Sequence, residues 1–408
     1  MGKSIYFTGQ PVFSQLLKLI PIDLVPKLAR KHHADKYCKK FDSHHHLVSM
    51  LFAVINQCTS IREVITGMQV ASPKLGHLKL THNICRSTFA DANIRRPEAF
   101  FGDLFHQLYR FHYVLPDSRS DLKAKPYEQR LFIMDATTIK LFHDVLKGAG
   151  EPPKSGKRKG GLKAHVMIKA SEDVPCLVNL SAAAANDRTF LKHTSLAPGS
   201  IITFDKGYTN FRQFDQWTKS GVTWVSRTLD QWIVQTRKNR KLSSAQIEEG
   251  VISDELVTLG APKEHNKTIQ IKARIIRFVD KEKNKEFSFV TNNTKFLAST
   301  IADIYKRRWQ IELLFKRIKQ RYPLRYFLGD SANAIKIQVW CALIVDLLIK
   351  IVKDKIKRKW AYSNLSGMVR LHLMTYINLF GFLENPEKEL INYHHPHINT
   401  QLNLFSSV

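Results

Sequence analysis

Fifteen residues late in the chain, Tyr305 to Lys319 (YKRRWQIELLFKRIK), combine the side chains that phosphate chemistry needs. They hold six Lys or Arg and one carboxylate, Glu312. At about 100° per residue on a helix, Tyr305, Arg308, Glu312 and Lys319 fall within an arc of about 60°. Trp309 and Phe315 flank that stripe, and apolar residues cover much of the remaining circumference. One acid among bases on a narrow stripe of an apolar helix suits a site that holds a metal ion against phosphate. A solvated basic face with an incidental Glu is the other reading of the same residues.

Two aspartates stand at corresponding places upstream. Asp135 follows Leu-Phe-Ile-Met and Asp205 follows Ile-Ile-Thr-Phe, so each is expected at the end of a buried strand, within reach of solvent. A carboxylate there is costly unless something cationic compensates it. Plain turn formation is the competing account, Asp205-Lys-Gly-Tyr208 as a capped turn and Asp135 as the cap of another. Three carboxylates can hold two Mg²⁺ ions by oxygen ligation. Two such ions about 3.5–4 Å apart can activate an attacking oxygen and stabilise a leaving one at phosphorus. Lys154, Lys157, Arg158, Lys159 and Lys163, with no acid between residues 154 and 169, would supply backbone contacts beside that site. A flexible charged loop explains them equally.

The elements that must position these groups follow from periodicity. Strands are expected at Leu131–Leu141, Leu162–Ala170, Val174–Ala182, Ile201–Asp205 and Val222–Arg227, with helices at Asp187–Leu196 and Phe211–Lys219. Three strands, a helix, a strand, a helix and a strand form a mixed α/β order compatible with a ribonuclease-H-like sheet. Residues 229–288 interrupt it with alternating apolar and basic residues at Thr268–Val279 and a further strand at Phe287–Thr291, a β-rich insertion. One long helix then carries Glu312 and ends near Pro323. The regions on both sides read as helical, which divides the chain into residues 1–125, 126–330 and 331–408. In the first, Ser60 and Glu63 form a capping box, and the helices to Met68 and over Ile84–Asn93 suggest a helix-turn-helix. His44 to His46, consecutive on a helix, point in different directions and read as capping or solvated groups rather than a metal site.

Composition narrows the partners. Sixty-three Lys and Arg against 35 Asp and Glu leave a net charge of +28 over 408 residues. A balance that basic in a folded protein points to a polyanion, usually nucleic acid. The most apolar stretch, Val339–Ile349, contains Asp346 and is too short to span a bilayer. The opening MGKSIYFTGQ lacks the apolar core of a signal peptide. Five scattered cysteines form no CxxC pair, as expected of ordinary thiols in a reducing cytoplasm.

Tyr, two residues, Arg, three residues, Glu, six residues, Lys is the mark of the bacterial DDE transposases of insertion sequence family four, and Tyr305, Arg308, Glu312 and Lys319 match it at every position. IMDATTIKL and TFDKGYTN resemble the segments carrying that family's two catalytic aspartates, and its β-domain lies where residues 229–288 interrupt the core. The resemblance covers about residues 130–325. It implies a ribonuclease-H-like catalytic core, metal ligation and catalysis by Asp135, Asp205 and Glu312, and a phosphate grip by Tyr305, Arg308 and Lys319. It also implies Mg²⁺, with Mn²⁺ as a substitute, and cut-and-paste excision and strand transfer of an element with terminal inverted repeats. Residues 1–125 would bind those repeats, and the active complex would be a homodimer on element and target DNA in the bacterial cytoplasm, at the nucleoid. Some relatives hold a flipped base on an aromatic side chain; Trp232 and Trp224 are the candidates, with buried core the better reading of Trp224 and either role open to Trp232. Apolar faces around Ile337, Trp340, Leu343, Leu347 and Ile351 are a candidate protomer contact, with packing on the core as the alternative. A DNA-binding protein that has lost catalysis and a plain Mg²⁺-dependent nuclease are the rival functions.

Overall fold

The computed structural model describes residues 9–114, 125–141, 161–183, 185–260, 270–281, 284–322 and 324–387. These form two compact units: one of residues 90–343, and one joining residues up to 89 with those from 344 onward. Residues 90–114 and 331–343, read from sequence as parts of the flanking regions, thus belong to the same unit as the sheet.

That unit is built on nine strands: β1 Leu131–Lys140, β2 Gly161–Lys169, β3 Val174–Ala182, β4 Ile201–Phe204, β5 Thr223–Arg227, β6 Ile233–Asn239, β7 Val251–Gly260, β8 Gln270–Asp280 and β9 Lys285–Thr291. Their order is β3-β2-β1-β4-β5-β9-β8-β7-β6. β1 to β3 form an antiparallel meander, while β4 pairs parallel with β1 and β5 parallel with β4. The parallel pairs require crossovers, and the helix Phe211–Lys219 supplies the one from β4 to β5. Its apolar face explains the placement. Phe214 stacks on Trp224 at 4.4 Å and lies 5.5 Å from Phe204, so helix and strands share one aromatic core. The mixed α/β architecture with a large sheet is the one expected from the element order.

The insertion is β-rich, and its strands continue the same sheet: β9 pairs with both β5 and β8. It contains two strands that were not anticipated, β6 and β7. Every residue of β6 is exposed, so it lies at the sheet edge without the alternating apolar pattern that reveals a half-buried strand.

The helix expected to carry Tyr305 through Lys319 is two helices, Ala298–Lys306 and Trp309–Arg321. At the break, Arg308 N donates to Tyr305 O, Gln310 N to Arg307 O and Ile311 N to Arg308 O, a tightened turn of i→i+3 bonds. The single 60° arc is therefore not how the four residues are arranged. The helix Ala332–Lys355 follows. Ile337, Trp340, Leu343, Leu347 and Ile351 are all buried within the chain, so they offer no protomer face. Trp340 packs against Gly102 and Phe105 and donates to Glu98 at 2.7 Å.

In the helical unit, Ser43–Ile55 is buried and capped by Asp42, which accepts from His45 N and from the His45 ring, both at 2.8 Å. The His44 ring meets Leu78 O at 2.9 Å and the His46 ring packs against Phe41 and Phe89, so these histidines are packed and bonded rather than solvated. Ser60 caps Ile61–Val70 by accepting from Glu63 N, while the Glu63 carboxylate accepts from Thr59 N rather than completing the box at Ser60. The next α-helix, Arg86–Arg95, comes only after the 3₁₀ helix Ser72–Leu78, so the pair lacks the short turn of a helix-turn-helix. Backbone bonds from Val12 to Thr375 and from Phe13 to Leu373 join the beginning of this unit to its C-terminal part.

Candidate active site

Strand pairing sets Asp135 and Asp205 side by side. The last parallel pair of β1 and β4 is Met134 opposite Phe204, and the aspartates come next on each chain. Asp205 ends its strand as expected, its Oδ2 accepting from Gly207 N at 3.4 Å. Asp135 does not end its strand. β1 runs on to Lys140 against β2, which puts Asp135 opposite Val166, with Oδ1 accepting from Ala136 N at 2.8 Å.

Glu312 enters from the first turn of Trp309–Arg321. Arg308 ties it to the strands, donating from Nη1 to Asp135 Oδ2 at 2.8 Å and from Nη2 to Glu312 Oε1. A second arginine, Arg227 at the end of β5, stands 3.6 Å from Asp205 Oδ1. The buried Tyr305 ring has both guanidinium carbons 5.8 Å from its centre. Arg227 was missed in the sequence reading: nothing in VTWVSR marks its last residue as facing a carboxylate one strand away.

Burial pushes the Asp135 carboxyl up to about 6, with Asp205 and Glu312 adding to the shift and Ala136 N–H and Arg308 opposing it. Burial also opposes charge on Arg308, but Tyr305, Asp135 and Glu312 outweigh it and raise its pKa. The Tyr305 phenol is raised chiefly by burial. Lys319, in the last turn of its helix, is lowered by desolvation and by Lys140 of β1. Asp205 and Glu312 thus both disfavour charge on Asp135, a repulsion that a cation relieves. Oxygen-only donors of this kind fit a hard divalent ion. Among the described residues no three acidic, His or Cys groups converge on one point, with Arg308 standing between Asp135 and Glu312.

The remaining expected contacts divide. The Lys163 ammonium bonds Asp187 Oδ1 at 2.9 Å and Ala185 O at 3.3 Å. Lys154, Lys157, Arg158 and Lys159 lie outside the described residues. Trp232 is a core residue, 8 % exposed and packed on Phe211, so its ring is not offered for base stacking; Trp224 is core as expected. The exposed aromatic beside Arg308 is Trp309, at 59 %. No helix among the described residues is long and apolar enough to cross a membrane.

A family model described as a transposase DDE domain matches residues 126–347, and one for a domain of unknown function matches residues 8–79. A Sinorhizobium fredii protein named as a transposase is 30 % identical over 263 residues, 64 % of this chain and 70 % of that one. A Geobacillus stearothermophilus protein named as the transposase of an insertion sequence element is 25 % identical over 243 residues, 59 % of this chain and 62 % of its own. A solved piggyBac transposase synaptic complex with hairpin DNA aligns over 94 % of this chain and 83 % of that one, at 10 % identity and a TM-score of 0.45. DDE domains work with divalent metal ions, and the carboxylates described above supply suitable donors. With more than half of its length under the DDE model and an insertion-sequence relative beside it, the chain belongs to the DDE transposases, enzymes of bacterial insertion sequences.

Proposed function

We propose that this enzyme excises an insertion sequence and joins it to target DNA by cut-and-paste chemistry at a site made of Asp135, Asp205 and Glu312. The observation that carries the reading is the register of β1 and β4, which sets two aspartates side by side, with Arg308 linking one of them to Glu312. These three carboxylates would hold Mg²⁺, or Mn²⁺ in its place; bound there, the metal polarises the scissile phosphate and activates the attacking oxygen. Arg308, Arg227 and Lys319 offset phosphate charge, and Tyr305 braces the two arginines. Water attacks phosphorus and the 3′ oxygen leaves, giving a free 3′-hydroxyl. That hydroxyl attacks the opposite strand, displacing the 3′ oxygen of the flanking DNA and closing the element end; a second water reopens that end, and the restored 3′-hydroxyl attacks target DNA, displacing a 3′ oxygen there.

The helical region of residues 1–125 is assigned to the terminal inverted repeats. Its basic segment supports this: Lys27, Arg30 and Lys31 on the helix Leu24–Lys31, then Lys36, Lys39 and Lys40. Joining two ends in concert needs two active sites, so the working assembly is a homodimer on double-stranded DNA, at the nucleoid in the cytoplasm.

Asp135→Asn, Asp205→Asn and Glu312→Gln should each abolish Mg²⁺-dependent nicking of a duplex bearing an element end, in proteins that melt as the parent does. Near-normal cleavage by a folded variant removes that residue from the site. A parent enzyme that nicks but never joins its 3′ ends to target DNA would be a nuclease instead.

A further inference from the structure

We propose that Asp187 is a positioning residue of the catalytic centre, a fourth carboxylate that acts through Asp205. The proposal rests on the reading of Asp205 as a cation ligand. Asp187 opens the 3₁₀ helix Asp187–His193. Its Oδ1 is occupied, with Lys163 Nζ at 2.9 Å and His165 Nδ1 at 3.8 Å. Lys163 and His165 are alternate residues of β2 and so share one face of the sheet. His165, 1 % exposed, lies 3.0 Å from Ser181 Oγ through Nε2 and 3.3 Å from the Tyr208 hydroxyl through Nδ1. Tyr208 belongs to the turn that begins at Asp205. Among the described residues Lys163 alone hydrogen-bonds the Asp187 side chain, and the β2 face it shares with His165 is linked through Tyr208 to the turn that begins at Asp205.

The other oxygen of Asp187 and one oxygen of Asp205 both border Gly207. A Cβ built on Gly207 would lie 3.8 Å from Asp187 Oδ2 and 3.9 Å from Asp205 Oδ2, so both atoms face one small volume that glycine leaves open. A lone ion pair with Lys163 needs only Oδ1. With that atom fixed, Oδ2 is placed to accept hydrogen bonds from water around a cation held by Asp205. Lys163 offsets the added negative charge, so the extra carboxylate does not repel incoming phosphate. Outer groups that orient metal ligands change affinity by about 10–100-fold when removed.

The test titrates the full-length chain with Mn²⁺ alone, by electron paramagnetic resonance or calorimetry, and records thermal melting beside it. Asp187→Asn should weaken Mn²⁺ binding by about tenfold or more with a melting curve close to the parent. Lys163→Met, which frees Asp187 to turn away, should weaken it in the same direction. Unchanged Mn²⁺ affinity in a folded Asp187→Asn protein overturns the proposal; if that variant does not fold, unchanged affinity in Lys163→Met overturns it. Asp205→Asn separates this from the larger reading. If Asp205→Asn binds Mn²⁺ normally, the site itself is wrongly assigned. If it loses Mn²⁺ while the Asp187 and Lys163 variants do not, only the role of Asp187 falls.

Discussion

Arg308 is the residue on which the site's geometry turns, because one guanidinium reaches two carboxylates on different elements. Such a fork cannot be replaced by the single ammonium of lysine. Arg308→Ala should lower nicking by about 100-fold, the scale on which removal of one preorganised charge donor acts, and Arg308→Lys should recover only part of it. Single-turnover cleavage read against Mn²⁺ affinity checks this: equal loss in both would make Arg308 a structural tie rather than a phosphate contact. Nearby, His165 makes a pH prediction. Burial lowers its pKa from 6.5 to about 4, with Lys163 and His193 acting in the same direction and Asp187 opposing. Between those values the unfolded chain binds the proton and the folded chain does not, so stability is whole above pH 6.5 and is lost as pH falls towards 4. The full loss is up to about 3 kcal/mol. Urea midpoints at pH 7 and pH 5 should show the decline, and His165→Asn should flatten it; an unchanged slope would place the titration elsewhere.

At the scale of elements, the joint that holds the inserted strands is a buried ion pair. Arg274 on β8 is 1 % exposed; its Nε and Nη2 donate to Asp254 of β7 at 2.7 Å, and Nη1 donates to Asn293 O and Phe296 O. With these bonds the pair ties two inserted strands to the segment leading into Ala298–Lys306, and so to Tyr305. Removing one partner of such a pair leaves an uncompensated buried charge, a loss of about 3–5 kcal/mol. Arg274→Ala should lower unfolding free energy by that amount in denaturant titration, whereas exchange of the exposed Lys238 on β6 should not. A loss under about 1 kcal/mol would mean water reaches Asp254 and the joint is softer than drawn. The helix break at Arg307 and Arg308 has its consequence at this scale as well. It gives Tyr305 and Glu312 to separate helices, so Tyr305 can pack against Phe289 of the sheet while Glu312 accepts from Arg308.

For the molecule as a whole, the question is what the C-terminal helices complete. Ala332–Lys355 carries its apolar residues buried on the chain itself, and Trp340 fills the space over Gly102, where an added Cβ would meet the indole at 3.0 Å. A chain ended at residue 330 would lose Trp340 and leave Phe105 and Glu98 without it. We expect that fragment to be insoluble or to unfold without cooperativity, rather than to persist as a folded binder of single ends. Circular dichroism melting of the truncated chain measures it; a sharp transition near the parent's would show that the sheet unit stands without the helix.

Strand lengths, the crossover helix and the order of the three acids were legible in the sequence because each is local. A buried strand such as Ile201–Phe204 announces itself by an apolar run between turn formers. The YREK spacing of Tyr305, Arg308, Glu312 and Lys319 is likewise contained in fifteen residues. Other features depended on pairing between distant segments, which no local pattern encodes. The parallel register of β1 and β4 decided that Asp135 and Asp205 are neighbours, and the antiparallel pairing with β2 set Asp135 opposite Val166. Packing decided that Trp232 is core, that Lys163 bonds Asp187, and that the apolar helix face, legible either as a protomer contact or as packing on the core, is covered within the chain. Edge strand β6 escaped because a strand exposed along its whole length has no buried face to impose a period of two. Residue type and spacing therefore determined which chemistry the chain carries, and tertiary pairing decided which residues hold each other in place to perform it.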